Sequence, residues 1–172
     1  MVSMATVAGE PARLKPISAD AYEKFLAVAA VLLLATVLTA LVRGRAHWGM
    51  VPWPIWAHLV TILTALVLTP VQLLRRRGDP LHRLLGTIWV VAIFLAAAFS
   101  FLVHTINHGG FSFIHILSAY VIISAPIIWW SAHTHRIALH RGNVRGMITG
   151  ALLIAGFFTL PFGRLLGTWL FG

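Results

Sequence analysis

The feature that constrains this chain most is a stretch of 52 residues, Leu84 to His135, without a single Asp, Glu, Lys or Arg. One helix crosses the hydrocarbon core of a bilayer with roughly 20 apolar residues. The stretch is therefore too long for one crossing and right for two. Asn107-His108-Gly109-Gly110 breaks it near its middle. The rest of the chain follows the same plan of apolar runs between short charged clusters. Eighteen uncharged residues separate Lys24 from Arg43, and 29 separate Arg45 from Arg75. Charged residues make up 10% of the chain and hydrophobic residues 59%, with a mean hydropathy of +0.90. A soluble domain carries roughly 25% charged residues, so this chain could not cover a water-facing surface. The sequence reads as an all-α integral membrane helical bundle.

Five transmembrane helices are predicted, at about 22–42, 53–74, 80–105, 112–132 and 143–160. Pro52 and Pro54 suit the entry to the second, and Pro70 falls in its last turn. Asp79-Pro80 supplies an N-cap and a first helical residue for the third. The fifth stops before Pro161 and Gly163. Residues 1–21 are polar, contain Pro11 and Pro16, and lack an apolar h-region. They read as an N-terminal tail rather than a cleaved signal, and residues 22–172 as a single transmembrane domain. Trp48, Trp53, Trp56, Trp129, Trp130 and Trp169 fall near predicted span ends, as in an aromatic belt. Gly142, Gly146 and Gly150 recur at a period that lets helices approach closely. Gln72, near the end of span two, is placed to bond a neighbouring backbone.

The formal charge is +9, from thirteen Lys and Arg against four Asp and Glu. The cations lie in short clusters between apolar runs, which points to a bilayer and not to nucleic acid. Lys and Arg set orientation through the positive-inside rule. Arg13, Lys15, Lys24, Arg75, Arg76, Arg77, Arg83, Arg136, Arg141 and Arg145 share one side; Arg43, Arg45 and Arg164 share the other. Ten against three predicts the N-terminus inside and the C-terminus outside.

With no Cys, disulfides, Cys zinc sites, thiolate-held iron–sulfur clusters and haem attached at a CxxCH are excluded. Four carboxylates, three of them at the N-terminal end, are too few for acid–base or carboxylate–metal chemistry. No P-loop, GxGxxG, HExxH or nucleophile elbow occurs. Nine histidines remain as the chemical inventory.

Four of these repeat. His58 opens His-Leu-Val-Thr in span two, and His115 opens His-Ile-Leu-Ser in span four. Leu81-His82-Arg83 begins span three, and Leu139-His140-Arg141 precedes span five. His58 and His82 are 24 residues apart, and His115 and His140 are 25 apart. Residues 55–160 thus look like two copies of one helical hairpin, as in parallel-repeat membrane proteins. Topology sorts the four into an outer pair, His58 and His115, and an inner pair, His82 and His140. Two imidazoles on facing helices can supply both axial ligands of a b-type haem. Ser118 and Ala119 beside His115, Gly86 beside His82 and Thr61 beside His58 are the small residues that would leave room. Gly142-Asn143 after His140 puts that histidine in the loop before span five. Arg83 and Arg141 are placed to contact propionates, with Arg43, Arg45 or Arg164 available on the outer side. Two alternatives stay open. The histidines can be structural hydrogen-bonding groups, or they can hold zinc or copper, with His47, His104 or His108 outside, or His133 or His135 inside, as a further ligand.

Several segments resemble a bacterial family of predicted membrane proteins, domain of unknown function 2306. They are Thr69-Pro70-Val71-Gln72-Leu73-Leu74-Arg75, Leu81-His82-Arg83-Leu84-Leu85-Gly86, Gly110-Phe111-Ser112-Phe113-Ile114-His115-Ile116-Leu117-Ser118, Leu139-His140-Arg141-Gly142-Asn143 and the tail from Ala155 to Arg164. Pro161-Phe162-Gly163-Arg164 departs from that family's Pro-Gly-Arg by one inserted residue. The resemblance implies a multi-span helical fold in a bacterial inner membrane and says almost nothing about activity. The paired histidines on alternate helices are also similar in plan to cytochrome b561-type proteins, whose four-helix core carries two haems. That likeness is one of architecture.

The sequence therefore predicts a four-helix core, spans two to five, with a peripheral first helix. The leading function is a di-haem b-type cytochrome, an electron-transfer component rather than a self-contained enzyme. It would exchange electrons with quinone or a redox subunit of a larger complex. The alternatives are a haem-free accessory subunit packed against a respiratory or photosynthetic complex, and a metal-binding membrane protein.

Overall fold

The computed structural model describes residues 18–103, 113–161 and 163–172, and among these the chain is helical with no strands. Helix α1 covers Ala21–Arg43 and runs on as a 3-10 helix, Gly44–Met50. Then follow α2 (Trp53–Leu74), α3 (Pro80–Ser100) and α4 (Phe113–His133). Helix α5 (Ile137–Met147) continues without a break into a π-helix, Ile148–Ile154, and a last turn, α6 (Ala155–Phe157). A short helix, α7 (Leu165–Phe171), ends the chain. Four helices are long and apolar enough to cross a membrane: Ala21–Met50, Trp53–Leu74, Pro80–Ser100 and His115–His133. The molecule is a multi-pass helical membrane protein.

Local chemistry explains where the helices begin. Asp20 caps α1 by accepting from the Glu23 N–H at 2.9 Å, and the Glu23 side chain accepts in return from the Asp20 N–H at 3.1 Å. This reciprocal box satisfies two backbone donors that the first turn otherwise leaves open. Asp79 caps α3 through the His82 N–H. Helix α3 stops at Ser100, short of the expected residue 105, in a tight turn closed by Leu102 N–H to Phe99 O and Val103 N–H to Ser100 O. Helix α5 starts at Ile137, six residues before the expected 143. Its start follows His135, which adopts a left-handed conformation (φ 54°) and turns the chain sharply after α4. Gly142-Asn143 then lies inside the helix, where the Asn143 amide donates to Leu139 O instead of breaking it. The break expected at Asn107–Gly110 lies outside the described residues.

Helix contacts run α1–α2, α2–α3, α3–α4 and α4–α5, and the π-segment touches α1, α2 and α4. The first helix is not set apart from the other four. Its face of Leu26, Ala27, Ala30, Leu33, Val37 and Ala40 is buried. Small residues carry the close contacts, as expected between helices in lipid: Ala65 on α2, Ala92 and Ala96 on α3, and Ala125 on α4 are all buried. Trp89 is buried in mid-membrane and donates its indole N–H to Thr69 Oγ1 at 2.9 Å, so neither polar atom is stranded. Among the described residues the Gly142, Gly146, Gly150 series does not serve close packing. A Cβ at Gly142 or Gly150 would meet nothing within 4 Å, and one at Gly146 only the Tyr120 hydroxyl at 3.5 Å.

Both ends of the bundle are locked. At one end Glu23, 1% exposed, accepts from Arg77, which follows α2, and from Arg141 and Arg145 of α5. Asp20 joins Arg141 and Arg145. The start of α1, the α2–α3 turn and the start of α5 therefore share one end. At the other end α7 folds back on α1, and a Cβ at Gly44 would lie 2.1 Å from the Trp169 ring. Trp169, expected in the aromatic belt, is buried here as a packing anchor.

Removing the charge of Glu23 leaves three guanidinium groups facing one another without their shared anion. Glu23→Gln is expected to cost about 3 kcal/mol, the lower end for a buried ionic network broken on one side. Thermal unfolding in detergent reads this directly, and an unchanged midpoint would show that the network contributes nothing.

Candidate functional site

The ring of helices places α3 between α2 and α4, and α4 between α3 and α5. His58 and His115 therefore lie on helices that flank α3, and His82 and His140 on helices that flank α4.

In the outer pair, His58 lies in the second turn of α2 and donates its Nδ1–H to Ala96 O of α3 at 2.8 Å. A carbonyl oxygen only accepts, so the proton is on Nδ1 and the Nε2 lone pair is left available. His115 is buried near the start of α4, with its ring 5.6 Å from that of Phe101. One turn on, the Ser118 hydroxyl is hydrogen-bonded to Ser100 of α3. Thr61 turns its hydroxyl back onto the carbonyls of Ala57 and His58.

The inner pair is at the end closed by Glu23. His82 is the third residue of α3. Its N–H donates to Asp79 Oδ1 at 2.6 Å and its carbonyl accepts from Gln72 Nε2 at 2.9 Å, the backbone bond expected of Gln72. Its ring Nδ1 is buried and has no hydrogen-bond partner among the described residues. His140 lies on α5 itself and not in a preceding loop; its Nδ1–H donates to Ile128 O of α4 at 3.1 Å.

Two of the four predicted histidines therefore have the orientation that metal-bound imidazoles adopt, with one nitrogen tied to a backbone carbonyl and the other available. The nitrogen donors fit axial ligation. The room beside Gly86 does not, because the Gln72 amide fills it: a Cβ on Gly86 would lie 2.9 Å from Gln72 Nε2. The arginines expected near propionates are also engaged. Arg141 binds Glu23 and Asp20, and Arg83 donates to Gly78 O.

Of the further histidines, His133 and His135 are exposed at the α4–α5 turn. His47 borders a hollow of about 170 Å³ at the opposite end, with Met50, Pro52, Ile55, Leu165 and Trp169. A larger hollow, about 480 Å³, opens sideways between α1, α2 and α3 over apolar residues such as Leu34, Leu63 and Val67. Neither is lined by His58, His82, His115 or His140. His104 and His108 lie outside the described residues. Among the described residues no three His, Asp or Glu side chains converge on a metal position.

Asp79 ties the inner end together, since it binds Arg75 at 2.6 Å and also caps His82. The Arg75 guanidinium and the His82 N–H hold its carboxyl below the ordinary aspartate range. Its folded-state pKa is depressed, so its stabilisation is present at neutral pH and is lost as pH falls through and below the usual aspartate values. Unfolding midpoints of the wild type should therefore decline on acidification more steeply than those of Asp79→Asn. Equal slopes would show that this carboxylate is not coupled to folding.

No protein-family model matches the chain, and neither a curated protein nor a solved structure does so.

Proposed function

We propose that this chain is a b-type di-haem cytochrome that relays electrons across a bacterial inner membrane. The observation that carries the reading is that His58 and His140 each anchor Nδ1–H on a carbonyl of a neighbouring helix, the orientation a metal-bound imidazole adopts. His58 and His115 would hold the outer haem, and His82 and His140 the inner one. Bound haem would supply reversible one-electron chemistry. The chain's own part is to fix imidazole tautomer and rotation, to exclude water with apolar helices, and to balance charge at the inner end. Quinone or an associated redox subunit is the exchange partner in this reading.

A haem-free accessory subunit is the second reading. It is favoured by Gln72 filling the Gly86 recess and by Arg141 being committed to Glu23. A visible spectrum and a haem-to-protein ratio of the purified protein separate the two. Two haems per chain are expected, falling to one in His82→Leu with the fold retained. A ratio of zero, or one unaffected by His82→Leu, overturns the relay.

The orientation proposed has the N-terminus in the cytoplasm and the C-terminus outside, because ten of thirteen Lys and Arg belong to one side. A reporter active only in the cytoplasm should work when inserted in the 75–79 turn and fail at the C-terminus. The reverse pattern overturns the assignment.

A further inference from the structure

Helix α4 ends in an aromatic ledge that the histidine pairs do not use. Trp129 and Trp130 close the last turns and are 47% and 43% exposed. The Arg136 guanidinium lies 4.5 Å over the Trp130 ring. The His133 ring lies 4.0 Å from Trp129, tied there by its Nδ1–H to Trp129 O at 2.8 Å. The turn beneath is rigidly bonded: Thr134 Oγ1 donates to Trp130 O, Arg136 N–H to Ser131 O, and Ile137 N–H to His135 O. The cation and the imidazole are thus held over the two indoles.

These groups lack an anion. The carboxylates of the described residues, Asp20, Glu23 and Asp79, are taken by Arg75, Arg77, Arg141 and Arg145. Arg136 has no ion pair among the described residues. Neither Trp129 nor Trp130 has a protein acceptor for its indole N–H there. Indoles settle at the boundary between hydrocarbon and headgroups. Just below the ledge, Ile123 and Ile127 of α4 present apolar side chains outward. Indole donors and a guanidinium stand above, and an apolar wall stands below.

We infer that the Trp129–Arg136 ledge is a binding site for the headgroup of an anionic phospholipid, with its acyl chains lying along the outer face of α4. The phosphate meets Arg136 and an indole N–H in the headgroup layer, where a fixed cation is worth more than a mobile one because less side-chain freedom is lost. The site stands independently of the haem reading. It differs from the diffuse attraction of the other basic residues in being built on stacked rings. Arg83, which is held by Gly78 O and not by an indole, is the internal control.

The test uses the full chain in detergent, titrated with dioleoylphosphatidylglycerol or dioleoylphosphatidylcholine and read by native mass spectrometry. One phosphatidylglycerol per chain should bind in preference to phosphatidylcholine. Arg136→Gln should weaken it about fivefold, the worth of one arginine at an anionic surface, and Trp130→Leu should also weaken it. Arg83→Gln should leave it unchanged, with helix content equal in all variants. Equal weakening by Arg83→Gln and Arg136→Gln would reduce the site to general charge attraction and overturn it. So would no preference for the anionic lipid. Inorganic phosphate that displaces the lipid at equal concentration would overturn the lipid assignment, because the acyl chains would then contribute nothing.

Discussion

A single carboxylate, Glu23, decides how the helices of this protein are joined at one end. It is buried on the first helix and is shared by Arg77 from the first hairpin and by Arg141 and Arg145 from the second. Burying a lone charge is costly unless it is paired and hydrogen-bonded. Here the pairing comes from three different places in the chain, so satisfying the charge requires all three to be brought together. The same arrangement screens the arginines from one another. Asp20 and Glu23 together face three guanidinium groups and leave one positive charge in excess. Among the described residues the opposite end has no such network. There the contact is steric, with Gly44 flat against the Trp169 ring and Gly167 against the Leu160 carbonyl. One end is held by charge and the other by shape, and the apolar helices between them are free to pack by close contact of small side chains.

Helices two and three were readable in the sequence because strong local signals mark them. Pro52 and Pro54 open α2, and Asp79-Pro80 opens α3 with cap and first residue in the expected places. The fifth span was harder. Its first half is polar, with His140, Arg141, Asn143 and Arg145, and Gly142-Asn143 carries the local signature of a turn. Tertiary contact overrides that signature, since Arg141 and Arg145 on one face of the helix are held by Glu23 on α1. The sequence separation of 118 between Glu23 and Arg141 explains why no window of sequence reveals the pairing. The capping pair Asp20-x-x-Glu23 is a local signal for the start of α1, but its second use as the anion of the bundle is not local. Helix α7 was missed for a similar reason. Seven residues are too short to read by period, and what holds them is a recess at Gly44 made by a helix at the far end of the chain.

The candidate site was legible in its residues and less so in its surroundings. The repeated histidines fall on four successive helices, with His58 and His140 each tied to a carbonyl of a neighbouring helix. What spacing could not supply was which small residues are left open. Gly86 was read as room for a ring, yet the Gln72 amide occupies it while donating to His82 O. Ser118 was read in the same way, yet it is bonded to Ser100 across the α3–α4 contact. Small residues in membrane helices serve close approach and cofactor room alike, and sequence alone does not separate the two. The same ambiguity ran the other way for Gly142 and Gly150, which were expected to be packed and stand open.

The two hairpins show what the repeat preserves. In the first, α2 runs about 16 residues beyond His58, and a five-residue turn, 75–79, leads to His82 as the third residue of α3. In the second, α4 runs about 18 residues beyond His115, and a three-residue turn, 134–136, leads to His140 as the fourth residue of α5. The second hairpin thus trades turn for helix and changes its start by one residue, and the histidine spacing moves only from 24 to 25. The turns themselves are chemically unlike. One is closed by the Asp79 cap and the Arg75 ion pair, the other by a left-handed His135 with no acidic residue near it. At 1.5 Å per residue, the descending helices carry their outer histidines roughly 24 and 27 Å above the turn. These heights agree within one helical turn although the loops share no chemistry. What is common to the two copies is the spacing from an imidazole near the start of one helix to an imidazole in the first turn of the next, and the turns between them differ in length and chemistry.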